Sequence, residues 1–367
     1  MRHAFAVALA CVTVFACPYA GRAQDNGAST SSARMGEGQR PSPDDIARRY
    51  EFAGEVLIAR GDKIVFYRGY GTIDPAGGAL HMAGQRWRLA SVTKQVTAAL
   101  MVMAAHQAGG TLDAPTIVIA PSLSLSPRPP AQPRREDVLT IRQLLTHHTG
   151  YANPDVTPAD KGGIPSFYAR SAPDVGYCLS KPATPGAAFA YNNCDYILAG
   201  VALSIGDRGA QPIAWPFGMA MALPGERGVP GFVRGKPEPA FELASWGAAG
   251  GLMGTARAVF GFDRALMMDK LMPRAARDGL WRAEGNGSYQ ALGAWVFPGQ
   301  LKGCLSPKRI VQRDGEIYGV QVRNVILPDD DLVVIVFTNR SSDDFAIGEV
   351  WQGKEFAHDL LSAAACA

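Results

Sequence analysis

The sequence predicts an α+β fold of two lobes: an antiparallel sheet built from N- and C-terminal segments and flanked by helices, with a mostly helical lobe inserted between them. Apolar runs of period two cluster near both ends of the chain, and helical periodicity occupies the middle. The third observation is the 41 Gly and 26 Pro of 367 residues, which punctuate long loops without reaching a low-complexity composition. A chain that is 47% hydrophobic and 19% charged excludes disorder and collagen.

Taken in order, Met1 to Ala23 reads as an export signal. Arg2 supplies a basic start, Ala4 to Cys17 is apolar apart from Thr13, and Gly21-Arg22-Ala23 offers small residues for cleavage. That apolar run is too short to span a bilayer, and no later one is long enough, so an exported, periplasmic or secreted protein without a transmembrane segment is expected. Val14-Phe15-Ala16-Cys17 loosely matches a lipobox, but Phe15 and Pro18 fit it badly, so no lipid anchor at Cys17 is expected. Cleavage removes Arg2 and Arg22 and no acid, lowering the formal charge of +3 to +1. With cations scattered rather than clustered, no nucleic-acid partner is implied.

Gln24 to Pro43 has no apolar period and is expected to be a disordered linker. The folded domain then covers 44–367, with a sheet lobe of about 44–90 and 285–367 and a helical lobe of about 91–284. Glu55 to Arg60 and Lys63 to Tyr67 flank Gly61-Asp62 as a hairpin. Ser91 to Gln107 sets Val92, Val96, Ala99, Leu100 and Met103 on one helical stripe, ended by Gly109-Gly110. Further helices are expected from Asp137 to Leu145, from Asp195 to Ile205 and after the glycine turn at Gly250. Strands follow at Leu292–Phe297, Ile317–Leu327 and Leu332–Thr338, with a terminal helix over Phe345–Ala365. Loss of Cys11 and Cys17 leaves Cys178, Cys194, Cys304 and Cys366, which allow three pairings in an oxidising compartment. Cys178–Cys194 with Cys304–Cys366 is preferred. No CxxC or ligand-spaced histidine pattern exists, so neither a metal nor a cofactor is expected.

Ser91-Val92-Thr93-Lys94 is an S-x-x-K sequence at a helix start. Its spacing puts hydroxyl and amine on one face, where Lys94 can share the Ser91 proton, and the helix N-terminus offers amides to an oxyanion. The motif is short, so its setting must supply specificity. Trp87 to Gln95 follows the hairpin and precedes Gly110-Thr111-Leu112-Asp113. In order come Leu144-Leu145-Thr146-His147-His148-Thr149-Gly150, then Pro185 to Asn193, then Ala249-Gly250-Gly251-Leu252-Met253-Gly254-Thr255-Ala256. From about Glu51 to Asn339 this series resembles the serine β-lactamase and penicillin-binding protein superfamily, particularly its class C and D-alanyl-D-alanine carboxypeptidase-like branch, which includes esterases.

The resemblance implies a β-lactamase/transpeptidase-like fold and a serine hydrolase working through an acyl-enzyme, with Ser91 as nucleophile and Lys94 and Tyr191 moving the proton. Two Y-x-N sequences compete for the second motif, Tyr151-Ala152-Asn153 and Tyr191-Asn192-Asn193. The second is chosen because its Pro-Gly-x-x-Phe-x-Tyr-x-Asn run leads into a helix. Asn193 would then orient a substrate amide. His147 and His148 titrate near neutrality, but the resemblance makes them part of a structural turn. No G-x-S-x-G, H-E-x-x-H, Walker or dinucleotide motif occurs.

The third motif departs from the family's Lys-Thr-Gly or His-x-Gly. Its best match is Arg313-Asp314-Gly315, followed by Glu316, whose amide would join that of Ser91 in an oxyanion hole. Arg313 keeps the cation but cannot give up a proton, and Lys308 is a fallback. Asp314 and Glu316 are expected to form an acidic rim that disfavours anionic β-lactams. The expected partner is a small-molecule or peptide substrate with a carbonyl, acted on by a monomer. The alternative is a non-turning-over penicillin- or peptide-binding protein. The long loops Ala114–Glu136 and Tyr151–Ser180 are expected to set specificity.

Overall fold

Ser42 opens the first helix, accepting from the Asp45 amide at 3.2 Å while its own amide donates to the Asp45 carboxylate at 2.8 Å. This reciprocal cap starts α1 (Pro43–Arg49) inside the last residues expected as linker. The computed structural model describes residues 41–113, 139–184, 186–206, 209–210, 213–285 and 288–366. The expected signal, most of the linker and the loop from Ala114 to Glu136 lie outside the described residues.

Strands β1 (Gly54–Arg60) and β2 (Lys63–Tyr70) form the expected hairpin, and the short β3 (Trp87–Arg88) leads into α2 (Val92–Gln107). Helix α3 (Ile141–Leu145) opens on Thr140, which makes a reciprocal cap with Gln143, at 3.1 and 2.9 Å, and the expected start at Asp137 lies outside the described residues. After α4 (Val175–Cys178) comes α5 (Asn193–Ser204), whose start two residues before Asp195 takes Asn193 into the first turn. Next are β4 (Ala220–Met221), α6 (Gly247–Gly250), β5 (Leu252–Gly254), α7 (Ala256–Met267) and α8 (Arg274–Leu280). The chain closes with β6 (Trp295–Gly299), β7 (Lys308–Ile317), β8 (Val320–Leu327), β9 (Leu332–Thr338) and α9 (Glu355–Ala365).

Three expectations need correction. β7 was not foreseen as a strand, because Arg313, Asp314 and Gly315 interrupt its apolar alternation. The run Ile317–Leu327 is split by a turn at Tyr318-Gly319, with Tyr318 at φ 49°. The terminal helix starts at Glu355 rather than Phe345, after left-handed turns at Gly348 and Gly353.

The main sheet is antiparallel in the order β6-β7-β8-β9-β1-β2, so β1 pairs with β9 from Gly54↔Thr338 to Arg60↔Leu332 and the two ends of the chain share one sheet. Alternation sorts its two faces. Leu57, Ala59, Val333, Ile335 and Phe337 pack toward α2 and the helical lobe. Val56, Ile58, Leu332, Val334 and Val336 pack against Ile46, Phe356 and Leu360 of α1 and α9. Cys178–Cys194 joins α4 to α5, and Cys304–Cys366 holds the end of α9, as the preferred pairing expected. Among the described residues no helix is long and apolar enough to cross a membrane.

Candidate active site

Three segments far apart in sequence meet at Ser91. Ala90, at φ 44°, turns the chain out of β3, and Ser91 occupies the N-cap of α2 without spending its hydroxyl on a cap. That hydroxyl instead lies 2.8 Å from the Tyr191 hydroxyl and accepts from Lys94 Nζ at 3.1 Å. Strand β7 passes close by: a Cβ on Gly315 would sit 2.7 Å from the Ser91 amide nitrogen, so only glycine lets strand and helix start approach this far.

Lys94 is fully buried and its three donors all find acceptors: Ser91 Oγ, Asn193 Oδ1 at 2.7 Å and the Ala249 carbonyl at 2.7 Å. Burial lowers its pKa and outweighs the support of Tyr191, with Arg313 adding to the depression. Burial alone would push the Tyr191 phenol up. The charges of Lys94 and Arg313 outweigh it and leave the phenol below its ordinary value. Arg313 reaches across from β7, donating to Tyr191 Oη at 2.8 Å and to the Ser91 carbonyl at 3.0 Å. Its guanidinium stays charged at any working pH, so the proton shared by Lys94 and Tyr191 is biased away from the phenol.

Asn193 is brought to Lys94 at 2.7 Å. Its Oδ1 accepts from Lys94, and its Nδ2 donates to Tyr168 Oη at 2.8 Å and to Asp155 Oδ1 at 3.2 Å, so both amide protons are spent within the protein and the oxygen keeps one lone pair. The second Y-x-N is subsidiary: Asn153 Nδ2 donates to the Tyr191 carbonyl at 3.3 Å, while Tyr151 packs against the core. The expected acidic rim is corrected by strand alternation, which turns Asp314 and Glu316 to the face opposite Arg313. There Asp314 accepts from Trp295 Nε1 at 3.1 Å and Glu316 accepts from the Ser342 amide and hydroxyl, each at 3.0 Å. Lys308, the fallback cation, lies at the start of β7 and pairs with Asp330.

His147 is buried below the Tyr191 ring, 4.6 Å between centroids, at φ 61°. Its Nδ1 accepts from the Asn192 amide at 3.2 Å and meets Asp195 at 3.0 Å, and its carbonyl accepts from the Ala190 amide at 3.0 Å. Burial drives the Asp195 carboxyl up to about 8 and holds His147 well below the usual histidine range, so both are neutral near pH 7. This pair braces the Tyr191 segment from beneath, in keeping with a structural turn. Asp155 and Tyr168 went unrecognised in the sequence, since neither sits at a motif position that marks it out, and Ala249 lay in the quoted glycine segment without a role assigned to its carbonyl. Among the described residues no group of His, Cys, Asp and Glu is arranged to hold a metal ion.

A family model described as Beta-lactamase matches residues 44–354. No curated protein matches the chain. Among solved structures, a penicillin binding protein from Bacillus halodurans is 19% identical with a TM-score of 0.62, covering 88% of this chain and 98% of that one. The D-amino acid amidase from Ochrobactrum anthropi SV3, complexed with L-phenylalanine, is 17% identical with a TM-score of 0.64, covering 87% and 95%. A class C beta lactamase from Rhodobacter sphaeroides is 18% identical with a TM-score of 0.60, covering 87% and 97%. At these identities the likeness concerns the fold.

Proposed function

The chain belongs to the beta-lactamase family, and from that premise we propose that it is an exported, monomeric serine hydrolase acting through an acyl-enzyme on an amide or ester carbonyl. The observation that carries the reading is the Ser91 hydroxyl within hydrogen-bond reach of both Lys94 Nζ and Tyr191 Oη, at 3.1 and 2.8 Å. Tyr191, held toward phenolate by Lys94 and Arg313, takes the Ser91 proton as Oγ bonds the carbonyl carbon. As the tetrahedral intermediate collapses, the bond to the leaving amine or alcohol breaks and the Tyr191 proton passes to it. Water then adds to the acyl carbon, again losing its proton to Tyr191, and the ester to Ser91 breaks with return of that proton to Oγ. The Ser91 and Glu316 amides are the proposed oxyanion donors.

Export is supported by the N-terminal pattern and by two cystine bridges that suit an oxidising compartment. Covalent labelling tests the whole reading. A fluorophosphonate or fluorescent penicillin should label the wild type and not Ser91→Ala. Equal labelling of the two would remove Ser91 as nucleophile.

A further inference from the structure

We propose that Asp155 is the anchor for a substrate ammonium group, so that the acyl donors of this enzyme are amides or esters carrying a free amine near the scissile carbonyl. The inference rests on the serine-hydrolase reading and specifies its substrate class. Asp155 follows the Asn153 cap, whose Oδ1 accepts its amide at 3.0 Å, and its side chain is exposed. One carboxylate oxygen, Oδ1, accepts from Asn193 Nδ2 at 3.2 Å and from the Tyr168 hydroxyl. Among the described residues no hydrogen bond to the other oxygen and no ion pair of the carboxylate is formed. A solvent-facing anion tied into a nucleophile's network, with no cation paired to it among the described residues, is set up to receive one.

Three hydrogen bonds tie Asp155 into the network of Ser91: Lys94 Nζ to Ser91 Oγ at 3.1 Å, Lys94 Nζ to Asn193 Oδ1 at 2.7 Å and Asn193 Nδ2 to Asp155 Oδ1 at 3.2 Å. Burial lowers the Lys94 pKa and raises that of Tyr318, and the Asp155 charge opposes the first shift and adds to the second. Tyr168 stacks on Trp246 at 3.7 Å, both buried, and Trp246 meets the half-buried Tyr318 at 6.1 Å, so a packed aromatic group holds the Tyr168 hydroxyl that binds the carboxylate.

The test compares phenylalanine p-nitroanilide, both enantiomers, with the N-acetylated forms, in wild type and in Asp155→Asn, which keeps an acceptor for Tyr168 and Asn193. Wild type should prefer the free amine at least tenfold in kcat/KM, and Asp155→Asn should reduce that ratio at least tenfold. The preference should also fade as pH rises through about 8, where an α-amine loses its charge. Equal losses on both substrates would overturn the proposal and reduce Asp155 to a prop for Asn193, as would wild-type preference for the acetylated form or turnover of neither. Fluorophosphonate labelling of wild-type Ser91 in the same samples separates these outcomes from failure of the hydrolase reading, in which no label appears.

Discussion

Arg313 Nη2 lies 2.8 Å from the hydroxyl of Tyr191, while its Nε holds the carbonyl of Ser91 at 3.0 Å, so one guanidinium ties the base to the backbone of the nucleophile. A lysine or histidine in its place would titrate or reorient. Arginine supplies a planar, permanently charged fork, fixing geometry and charge together. The departure in the third motif therefore conserves the electrostatic work while giving up any proton transfer from that position.

Arg313→Gln should raise the Tyr191 pKa, because a depressing charge is removed while burial remains. A base that must be deprotonated then works only at higher pH. The rising acid limb of kcat/KM on an activated ester should move upward by about one pH unit or more, and Arg313→Lys should move it less. An unmoved limb in Arg313→Gln would mean that Lys94 alone sets the ionisation of Tyr191.

Lys94→Ala removes the cation that meets Ser91, Asn193 and the Ala249 carbonyl together, and it leaves two acceptors buried without a donor. Turnover of p-nitrophenyl acetate should fall by roughly three orders of magnitude, and the melting temperature should fall as well. Turnover within tenfold of wild type would remove Lys94 from the proton relay.

The sheet lobe was legible because its central strands are buried on both faces, which forces the unbroken apolar, β-branched run from Leu332 to Thr338. Motif order made Ser91, Lys94 and Tyr191 legible. β7 was hidden because the residues that serve the site, Arg313 and Gly315, are the ones that break its apolar pattern. The misassigned acidic rim had the same origin: without β7 as a strand, nothing indicated that Asp314 faces away from Arg313. The meeting of Asn193 with Lys94 followed from the motif, but its further partners Asp155 and Tyr168 did not, since they come from a loop with no periodic signal.

Cys178–Cys194 closes a loop of sequence separation 16 and ends beside Asn193, at the start of the helix that follows Tyr191. Cys178→Ser with Cys194→Ser should lower stability by about 3 kcal/mol on loop-closure grounds. Because the bridge adjoins the base, kcat/KM on an activated ester should fall at temperatures where the variant is still folded. Unaltered kinetics alongside a lowered melting temperature would confine the bridge to global stability.

Asp195 offers a pH signature that isolates one buried group. Folding raises its carboxyl from the ordinary 3.8 to about 8, because burial penalises the anion while Thr149 and Lys94 only partly offset it. Between those values the folded protein binds one proton more than the unfolded chain, so this residue's contribution to stability falls continuously as pH rises from about 4 to 8 and is level beyond. His147, held neutral by burial, acts in the opposite sense, since the unfolded chain takes up its proton as pH drops below 6.5. Asp195→Asn leaves the His147 response in place and removes only the carboxyl. Its amide oxygen still accepts from Thr149 and its amide N–H donates to His147 Nδ1, which matches the proton arrangement of the neutral pair. The variant should therefore melt a few degrees above wild type at pH 8, with the gain shrinking toward pH 5. Equal gains at both pH values would mean that Asp195 is ionised in the folded protein, and the neutral brace beneath Tyr191 would have to be abandoned.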